Sequence, residues 1–364
     1  MPKWLRTLVV PLAVLALVAA ACGDDTPPPG GDGDGDTPEC NADLSVGIAY
    51  DIGGIGDKSF NDAANAGLLA AIDEGLVCEE NTDSLEPDAT GSNRDENVIA
   101  LADAGHNLVI AVGFAFSPGI NENAGNYGRT QFAIIDGFAT CGTACGLAND
   151  GLTNVTDLTF EEHEGSFLVG AAAATKADEL GCDTVGFLGG QTGPLIEKFQ
   201  AGYEAGVAAI DPNVEVLVQY IGDDVTAFND AVRGESLSTA MYDDGACIVY
   251  HAAGASGAGL FNAAVSADKL AIGVDSDQYQ LVSAEQQPLI MTSMLKRVDT
   301  AVHDAIAQAG DGSLEAGGQV FGMAEGGVDY SKSNTELMTD DIITLLDDLK
   351  QQIIDGDIIV PSEP

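Results

Sequence analysis

The sequence predicts an α/β protein made of two Rossmann-like lobes. Short runs rich in Val, Ile and Leu alternate with longer helix-like runs, which is typical of parallel sheets covered by helices. This alternation occurs in two successive series along the chain. Roughly 320 residues follow the polar N-terminal segment. This length is greater than a single hydrophobic core usually supports, so it also favours two domains.

The first series is predicted from apolar runs that are too short for helices and from the longer segments between them. Its strands are 44–50, 107–112 and 132–135, and its helices are 61–74 and 121–127. The second series has strands at 184–188, 214–221 and 247–251, and helices at 167–177, 196–209 and 227–243.

Further elements follow both series. They are strands at 270–274, 289–294 and 320–323, and helices at 298–308 and 340–355. Strands that arrive so late usually return to complete earlier sheets. The chain is therefore expected to cross between the lobes several times, as in a hinged binding protein.

The turn after the first strand, DIGGIGDKSFND at 51–62, has the composition of a binding site. Strand ends in open α/β sheets face a crevice, and glycines there let the backbone approach a ligand. A P-loop is excluded because Asp57 separates Gly56 from Lys58, whereas that motif needs Lys directly after Gly. The carboxylates of the turn would repel a polyanion but suit hydroxyl and N–H groups, and Phe60 offers a ring for stacking. The turn predicts a neutral, flat, hydroxylated ligand.

Residues 1–21 have the pattern of a bacterial lipoprotein signal peptide. Lys3 and Arg6 precede an apolar run, and small residues lead into Cys22, which would receive diacylglycerol. Ala19 departs from the Leu that is usual in this motif, so an ordinary cleaved signal is an alternative. A transmembrane anchor is disfavoured because Pro11 interrupts a run too short to span a bilayer. Residues 22–42 are then the lipidated cysteine and a disordered tether rich in Gly, Asp and Pro.

The chain is strongly acidic. It has 13 Lys and Arg against 58 Asp and Glu, a formal charge of −45, and loss of the signal peptide would remove two of the cations. This charge argues against nucleic acid and anionic membrane surfaces as partners. It fits a protein that works in high salt, but equally a marine or lineage bias, and the sequence does not separate these explanations.

The chain has seven cysteines, and lipidation of Cys22 would leave six in an oxidising compartment. Coarse geometry favours one pair at the edges of the first lobe and one within a single loop. The remaining two cysteines each precede a strand, and those strands are neighbours in a doubly wound order. A buried free thiol is the alternative for Cys247. The favoured pairs are Cys40 with Cys78, Cys141 with Cys145, and Cys182 with Cys247.

Six short segments, in order along the domain after the tether, carry a family resemblance. They are DIGGIGDKSFN (51–61), FEEHEGSFLVG (160–170), HAAGASGAG (251–259), IGVDSDQ (272–278), TSMLKRVD (292–299) and DGDIIVP (355–361). Together they resemble the basic membrane protein (BMP) family of lipoproteins, substrate-binding components of ABC transporters that include purine nucleoside receptors. The resemblance implies a type I periplasmic-binding-protein fold with a multi-crossover hinge. The expected lobes are 43–157 with about 276–318, and 158–275 with about 319–364.

In the first lobe, the resemblance makes Phe60 the aromatic that stacks on a base. Asn61 would bond the edge of that base, and Asp51 would be a second polar contact from the same lobe. Asp57 is expected to cap the following helix rather than to contact the ligand. Gly113 and Phe114 are either part of the cleft wall or core packing.

Further along the chain, Asp275 and Lys296 resemble the pair that holds ribose hydroxyls. Their chemistry agrees, because a carboxylate accepts hydrogen bonds from vicinal hydroxyls and an ammonium donates to them. An ion pair between the two residues is the structural alternative for Lys296. Of Asp275 and Asp277, only one is expected to reach the ligand, and the family pattern favours Asp275.

Other site residues are also implied by the resemblance. Gly254 and Gly257 would let the backbone approach the ligand. A second stacking aromatic is expected near the end of the third strand of the second lobe, where Tyr250 and His251 remain open alternatives. Glu162, chosen from the three glutamates of the 160–170 segment, would recognise the base.

An enzyme is not favoured by the motifs. The segment 254–258 misses a nucleophile elbow because residue 258 is Ala, and the four histidines lack metal-ligand spacing, so no cofactor is expected. The predicted function is a lipid-anchored receptor on the extracytoplasmic face of the cell membrane. It would capture a nucleoside and deliver it to an ABC permease served by a separate ATPase. The alternatives are another polar metabolite or sugar-like signal as ligand, and a sensory lipoprotein without a transporter.

Overall fold

The computed structural model describes residues 40–364. The predicted signal peptide, Cys22 and the tether up to residue 39 lie outside the described residues. The chain forms twelve strands in this range: β1 (Val46–Ala49), β2 (Thr82–Leu85), β3 (Leu108–Val112), β4 (Gln131–Ile135), β5 (Val155–Phe160), β6 (Thr184–Gln191), β7 (Glu215–Gly222), β8 (Ile248–Ala252), β9 (Leu270–Asp275), β10 (Ile290–Lys296), β11 (Gly317–Phe321) and β12 (Val328–Tyr330).

The strands form two six-stranded sheets, so the predicted fold class is confirmed. The first sheet has the order β11-β5-β4-β3-β1-β2 and is parallel throughout. The second has the order β12-β10-β9-β8-β6-β7, and only β12 is antiparallel to its neighbour. Central strands such as β3 and β8 are buried at every position, as parallel strands covered on both faces must be.

Helices connect the strands and cover the sheets. Several end where the chain adopts the left-handed conformation at a glycine, as at Gly181 and Gly312, and two begin at side-chain caps provided by Asp230 and Thr339. The helices are α1 (Phe60–Asp73), α2 (Arg94–Ala104), α3 (Ser117–Asn123), α4 (Glu162–Leu180), α5 (Pro194–Ile210), α6 (Ala231–Asp243), α7 (Gly257–Ala267), α8 (Val298–Asp311) and α9 (Asp340–Ile354). In the described residues, none of these helices is long and apolar enough to cross a membrane.

The strands absent from the sequence-based prediction are β2, β5 and β12. β2 is a polar edge strand, and β5 contains Asp157, a polar residue that is buried because it accepts hydrogen bonds from Ala139 N and Thr140 N. β12 is only three residues long. Each therefore lacks the apolar run that identifies a buried strand.

The chain passes between the two sheets three times, after β5, after β10 and after β11. The expected lobe boundaries were wrong at two of these positions. Residues 276–318 were assigned to the first lobe, but β10 pairs with its predecessor β9 in the second sheet, and the crossing comes only at Arg297. The expected boundary near 318 cuts through β11, which pairs with β5 over its whole length. Strand pairing, which the local sequence does not reveal, decides both positions.

All three favoured disulfides are present: Cys40–Cys78, Cys141–Cys145 and Cys182–Cys247. The free-thiol alternative for Cys247 is therefore wrong. The last bridge joins residues just before β6 and β8, which are adjacent strands. Disulfides of this kind are usual in secreted proteins, in agreement with the predicted signal peptide.

Helices α4 and α5 approach closely through glycines. A side chain at Gly202 would meet the backbone of His163, and one at Gly206 would meet the backbone of Phe167. This contact matters for the site, because α4 begins at Glu162 and α5 carries Phe199.

We expect Gly202→Ala to lower the free energy of unfolding by about 1–3 kcal/mol, because the added methyl group must separate two packed backbones. Urea denaturation measures this loss. Gly125→Ala is the matched control, since its methyl group would enter open space at an ordinary backbone conformation and should change stability by less than about 0.5 kcal/mol. Equal stability of the two variants would contradict the packing argument.

Candidate functional site

A cavity lies between the two sheets, at the carboxyl ends of their strands. This is where ligands bind in doubly wound α/β folds. The first sheet and its loops contribute Asp51, Ile52, Asp57, Phe60, Asn61, Gly113, Phe114 and Asp136. The second contributes Leu195, Ile196, Phe199, Phe228, Ala252, Ala253, Gly254, Val274, Asp275 and Lys296.

The structure brings six of the predicted ligand residues together on the cavity wall. They are Asp51, Phe60, Asn61, Gly254, Asp275 and Lys296. Gly113 and Phe114 also line it, so the cleft-wall alternative holds for them. The other predicted residues, Glu162, Tyr250, His251 and Gly257, are not among the lining residues.

The turn between β1 and α1 is held by its own polar side chains. Asp57 accepts hydrogen bonds from the backbone N–H groups of Ser59, Asn61 and Asp62, which confirms its capping role. Asn61 donates from Nδ2 to Asp57 Oδ2 at 2.9 Å and accepts at Oδ1 from the Asp51 N–H at 3.0 Å. Although Asn61 faces the cavity, its amide is largely committed to shaping this turn.

Lys296 is the centre of charge in the cavity. It lies at the end of β10, and its side chain is 2 % exposed. Its Nζ is 2.6 Å from Asp136 Oδ2 and 3.0 Å from Glu162 Oε1. It also lies 5.3 Å from the centre of the Phe60 ring and 5.4 Å from that of Phe199, within cation–π range. The ammonium is thus enclosed by two carboxylates and aromatic faces.

Burial and mutual charge set the pKa values of this cluster. Burial alone would lower the pKa of Lys296, but the surrounding carboxylates of Asp136, Glu162 and Asp275 outweigh it and raise that pKa above its usual range. Burial raises the pKa of Asp136 to about 6 and that of Asp275 to about 7, although Lys296 opposes both shifts. The lysine is therefore always charged, whereas Asp275 is close to its titration point at neutral pH.

Asp275 connects the two sides of the cleft. Its Oδ2 accepts a hydrogen bond of 2.5 Å from the hydroxyl of Ser59, which belongs to the turn after β1. Its φ of +63° turns the chain sharply at the end of β9 and aims the side chain into the cavity. Asp277 instead accepts hydrogen bonds from the hydroxyls of Ser331 and Ser333, so only Asp275 of the two lines the cavity.

Tyr250 and His251 do not face the cavity, contrary to both alternatives offered for the second aromatic. Tyr250 is fully buried, packs against Phe187 and Tyr203, and shares a hydrogen bond of 3.1 Å with Ser166. His251 lies on the opposite face of β8, where its Nε2 is 2.9 Å from Gln278 Oε1. Side chains within a central strand point to the helices on either face. Only the residues at and after the strand end reach the cleft, and these are Ala252, Ala253 and Gly254.

Glu162 and Gly257 support the site from behind. Glu162 is fully buried and pairs with Lys296 and with Lys198, so its charge is used within the protein. A side chain at Gly257 would overlap the ring of His251, so this glycine is required by packing and not by the approach of a ligand. The prediction that these two residues contact the ligand directly is therefore corrected, and only the packing of α4 and α7 reveals this.

Sequence reasoning missed three lining residues with clear chemistry, namely Asp136, Phe199 and Phe228. Asp136 could have been found, because it follows the apolar strand β4 directly, much as Asp51 follows β1 after one intervening residue. Phe199 lies on the amphipathic helix α5, where an aromatic residue is expected to pack in the hydrophobic core. Phe228 lies between β7 and α6, 6.4 Å from the ring of Phe114 across the cleft. Nothing local distinguishes the two phenylalanines from packing residues.

The lining combines aromatic rings, four carboxylates and one ammonium, a set suited to a flat ligand that carries hydroxyl and N–H groups. Among residues 40–364, the one cluster with metal-ligand geometry is Cys40, Cys78 and Glu80, and its cysteines form a disulfide. The cavity therefore offers recognition groups for a polar organic molecule.

Comparison with known proteins agrees with this architecture. The model of the Bmp family, described as "ABC transporter substrate-binding protein PnrA-like", matches residues 45–363. The chain is 30% identical to the "ABC transporter nucleoside-binding protein BmpA" of Lactococcus lactis, over 98% of this chain and 99% of that protein. It is 32% identical to "Basic membrane protein A2" of Borrelia garinii, over 84% and 85% of the two chains.

Solved structures show the same fold. A solute-binding protein of an ABC transporter system from Aeropyrum pernix superposes with a TM-score of 0.73 at 27% identity, covering 87% of this chain and 94% of that one. A second, from Conexibacter woesei, has a TM-score of 0.68 at 20% identity and covers 88% and 99%.

Proposed function

Because the chain belongs to the Bmp family of ABC transporter substrate-binding proteins, we propose that it captures a nucleoside, of the purine class, in the cavity between its lobes. Members of this family are solute-binding receptors and not enzymes. The identity of the ligand as a nucleoside goes beyond family membership. It is supported by the chemistry of the cavity and by the name of the Lactococcus relative.

A single observation carries the proposal, which is the position of the Phe60 ring beside a buried donor and acceptor. Lys296 Nζ lies 5.3 Å from the centre of that ring, and the carboxylate of Asp275 lines the same cavity. An aromatic ring can stack on a base, while an ammonium and a carboxylate together bind vicinal hydroxyls. A nucleoside presents the base and the vicinal hydroxyls together, because a single glycosidic bond joins its base to its ribose.

The remaining groups fit the same ligand. Asp136 Oδ1 is buried and has no hydrogen-bond partner among the described residues, although Asp136 lines the cavity. A ligand hydroxyl or N–H group would satisfy it, and a buried acceptor without a partner is costly. Phe199 and Phe228 come from the second lobe and would complete the aromatic enclosure when the lobes close.

We further propose that Cys22 carries a lipid anchor and that the receptor delivers its ligand to a permease on the extracytoplasmic side. The lipobox-like segment before Cys22 supports the anchor. The family supports the transporter partner, whose ATPase would be a separate polypeptide.

A thermal-shift screen of the full chain in detergent tests the proposed ligand. Inosine, guanosine and adenosine should each raise the unfolding temperature in a saturable manner, whereas free ribose, free bases and amino acids should do so weakly. Stabilisation by sugars, or by none of these compounds, would overturn the nucleoside proposal and favour another polar metabolite.

Binding of ribosides should strengthen as pH rises from 6 to 8. Burial raises the pKa of Asp275 to about 7, so at pH 6 it is mostly protonated and loses acceptor strength toward ribose hydroxyls. The same shift makes folding of the free protein less favourable as pH rises between about 4 and 7, because the folded state then binds more protons than the unfolded state. Isothermal titration calorimetry from pH 6 to 8 checks the predicted rise in riboside affinity, and Asp275→Asn should flatten that rise. A pH-independent affinity in the unmodified protein would remove Asp275 from the ribose contact.

A further inference from the structure

Arg94, at the start of α2, is paired with a carboxylate of the cavity. Its Nε donates to Asp51 Oδ1 at 2.5 Å, its Nη2 forms an ion pair with the same oxygen, and its Nη1 donates to Gly91 O at 2.8 Å. The two side chains are 12 % and 14 % exposed. Asp51 lines the cavity, but Arg94 does not.

The two oxygens of Asp51 have different surroundings. Oδ1 also accepts from the N–H of Ile52 at 2.7 Å, so two hydrogen bonds and the ion pair converge on it. Oδ2 accepts no hydrogen bond from the described residues and lies toward Gly113, another residue of the cavity wall. One oxygen is therefore consumed by the protein, and the other remains available as an acceptor.

We propose that Arg94 is a positioning residue that holds Asp51 through Oδ1, favours its ionised form and directs its Oδ2 into the cavity, where it accepts a hydrogen bond from the ligand. The inference rests on the proposed function for the identity of the ligand. It assigns a ligand-recognition role to a residue that touches no ligand.

The need for a separate cation follows from the charges around the cavity. The other charged lining groups are Asp57, Asp136, Asp275 and Lys296, and Lys296 already faces Asp136, Asp275 and the buried Glu162. Burial raises the pKa of Asp51, and the hydrogen bond and charge of Arg94 oppose that shift. In the described structure, Arg94 is the one basic group that contacts Asp51. Without it, a carboxylate buried among carboxylates would take up a proton and present a donor in place of an acceptor.

A purely structural role for Arg94 is the competing explanation. Its bond to Gly91 O closes the loop before α2, and its guanidinium lies 6.0 Å from the centre of the Phe116 ring. A structural role exerted only through Gly91 and Phe116 would make the cost of losing Arg94 independent of pH and of Asp51. The proposed role makes that cost depend on both.

Calorimetry with inosine on the full chain in detergent, from pH 6 to 9, separates these explanations. Arg94→Met should weaken binding at least about ten-fold relative to the unmodified chain at pH 7, and this deficit should shrink as pH rises because Asp51 then ionises without its partner. Arg94→Lys should restore much of the pH profile, because it keeps the charge. In an Asp51→Asn background, Arg94→Met should add little. Arg129→Met, which removes an exposed cation from the same lobe, is the control and should leave affinity unchanged.

A second measurement needs no ligand. The unfolding temperature of Arg94→Met should fall further below that of the unmodified chain at pH 8.5 than at pH 5.5, since an ionised, unpaired Asp51 destabilises the fold. This extra loss should vanish in the Asp51→Asn background. A loss that is equal at both pH values, or unchanged by Asp51→Asn, would overturn the role of Arg94. Absence of nucleoside binding by the unmodified chain would instead overturn the proposed function and leave this ligand-free comparison to decide the inference.

Discussion

Lys296→Met should both destabilise the protein and abolish binding, the largest effect expected of any single substitution in the cavity. Nζ is 2.6 Å from Asp136 and 3.0 Å from Glu162, and all three side chains are almost completely buried. Removing one partner of a buried ion pair leaves uncompensated charge, which costs about 3–5 kcal/mol of folding free energy. The ammonium proposed to hold the ribose hydroxyls is lost as well.

The loss of stability should depend on pH. Asp136 and Asp275 already have pKa values raised to about 6 and about 7 by burial, and loss of Lys296 would raise both further. The variant should therefore be closer to the unmodified protein at pH 5.5, where these groups are protonated, than at pH 8, where charge must be buried unpaired. Urea denaturation at the two pH values measures the difference.

Lys332→Met is the matched control for this prediction. Lys332 pairs with Asp347, but both side chains are about half exposed, so its removal should change stability by less than about 1 kcal/mol at either pH. If Lys296→Met were no more destabilising than this control, the buried cluster would not have the energetic role assigned to it.

Phe60→Ala should weaken nucleoside binding by about 1–3 kcal/mol, the value expected for loss of stacking between an aromatic ring and a base. Phe60 is partly exposed to the cavity and packs against the core only in part, so stability should fall less than affinity. Titration calorimetry with inosine measures the affinity, and the unfolding temperature of the free protein reports any general damage.

Two further variants sharpen the test of Phe60. Phe60→Tyr keeps the ring and should retain most of the affinity. Phe321→Ala removes a partly exposed phenylalanine that stacks on Phe160 and does not line the cavity, so it should leave affinity unchanged. An unchanged affinity of Phe60→Ala would exclude base stacking at this position.

The sequence was sufficient to predict the features that depend on local pattern. The apolar strands β1, β3, β4, β6, β8 and β9 are short buried runs, and such runs identify parallel strands without any tertiary information. The positions of Asp51, Phe60, Asp275 and Lys296 on the cavity wall were predictable because these residues lie at strand ends, or in the turn after one, within motifs of a known family. The disulfide partners were predictable because each pair lies near elements whose order was already inferred.

The predictions that failed concerned the directions in which side chains point and the contacts between residues far apart in sequence. Tyr250 and His251 lie two and one residues from the end of β8, but the pleat of a central strand sends both side chains into the helical layers. Glu162 lies in the right motif, but the packing of α4 makes it a partner of Lys296 instead of a group facing the cavity. Phe199, Phe228 and Arg94 come from segments whose local sequence resembles ordinary core or surface.

The sequence by itself thus determined the fold class, the disulfide pairs and the strand-end loops that carry the site, because these depend on periodicity and on residues close in the chain. The tertiary structure alone decided which strand belongs to which sheet and which of several suitable side chains enters the cavity. It also decided which charges are neutralised within the protein. Those outcomes depend on contacts between residues far apart in sequence, such as Lys296 with Asp136 and Ser59 with Asp275, and the energies of such contacts arise only when two lobes enclose them.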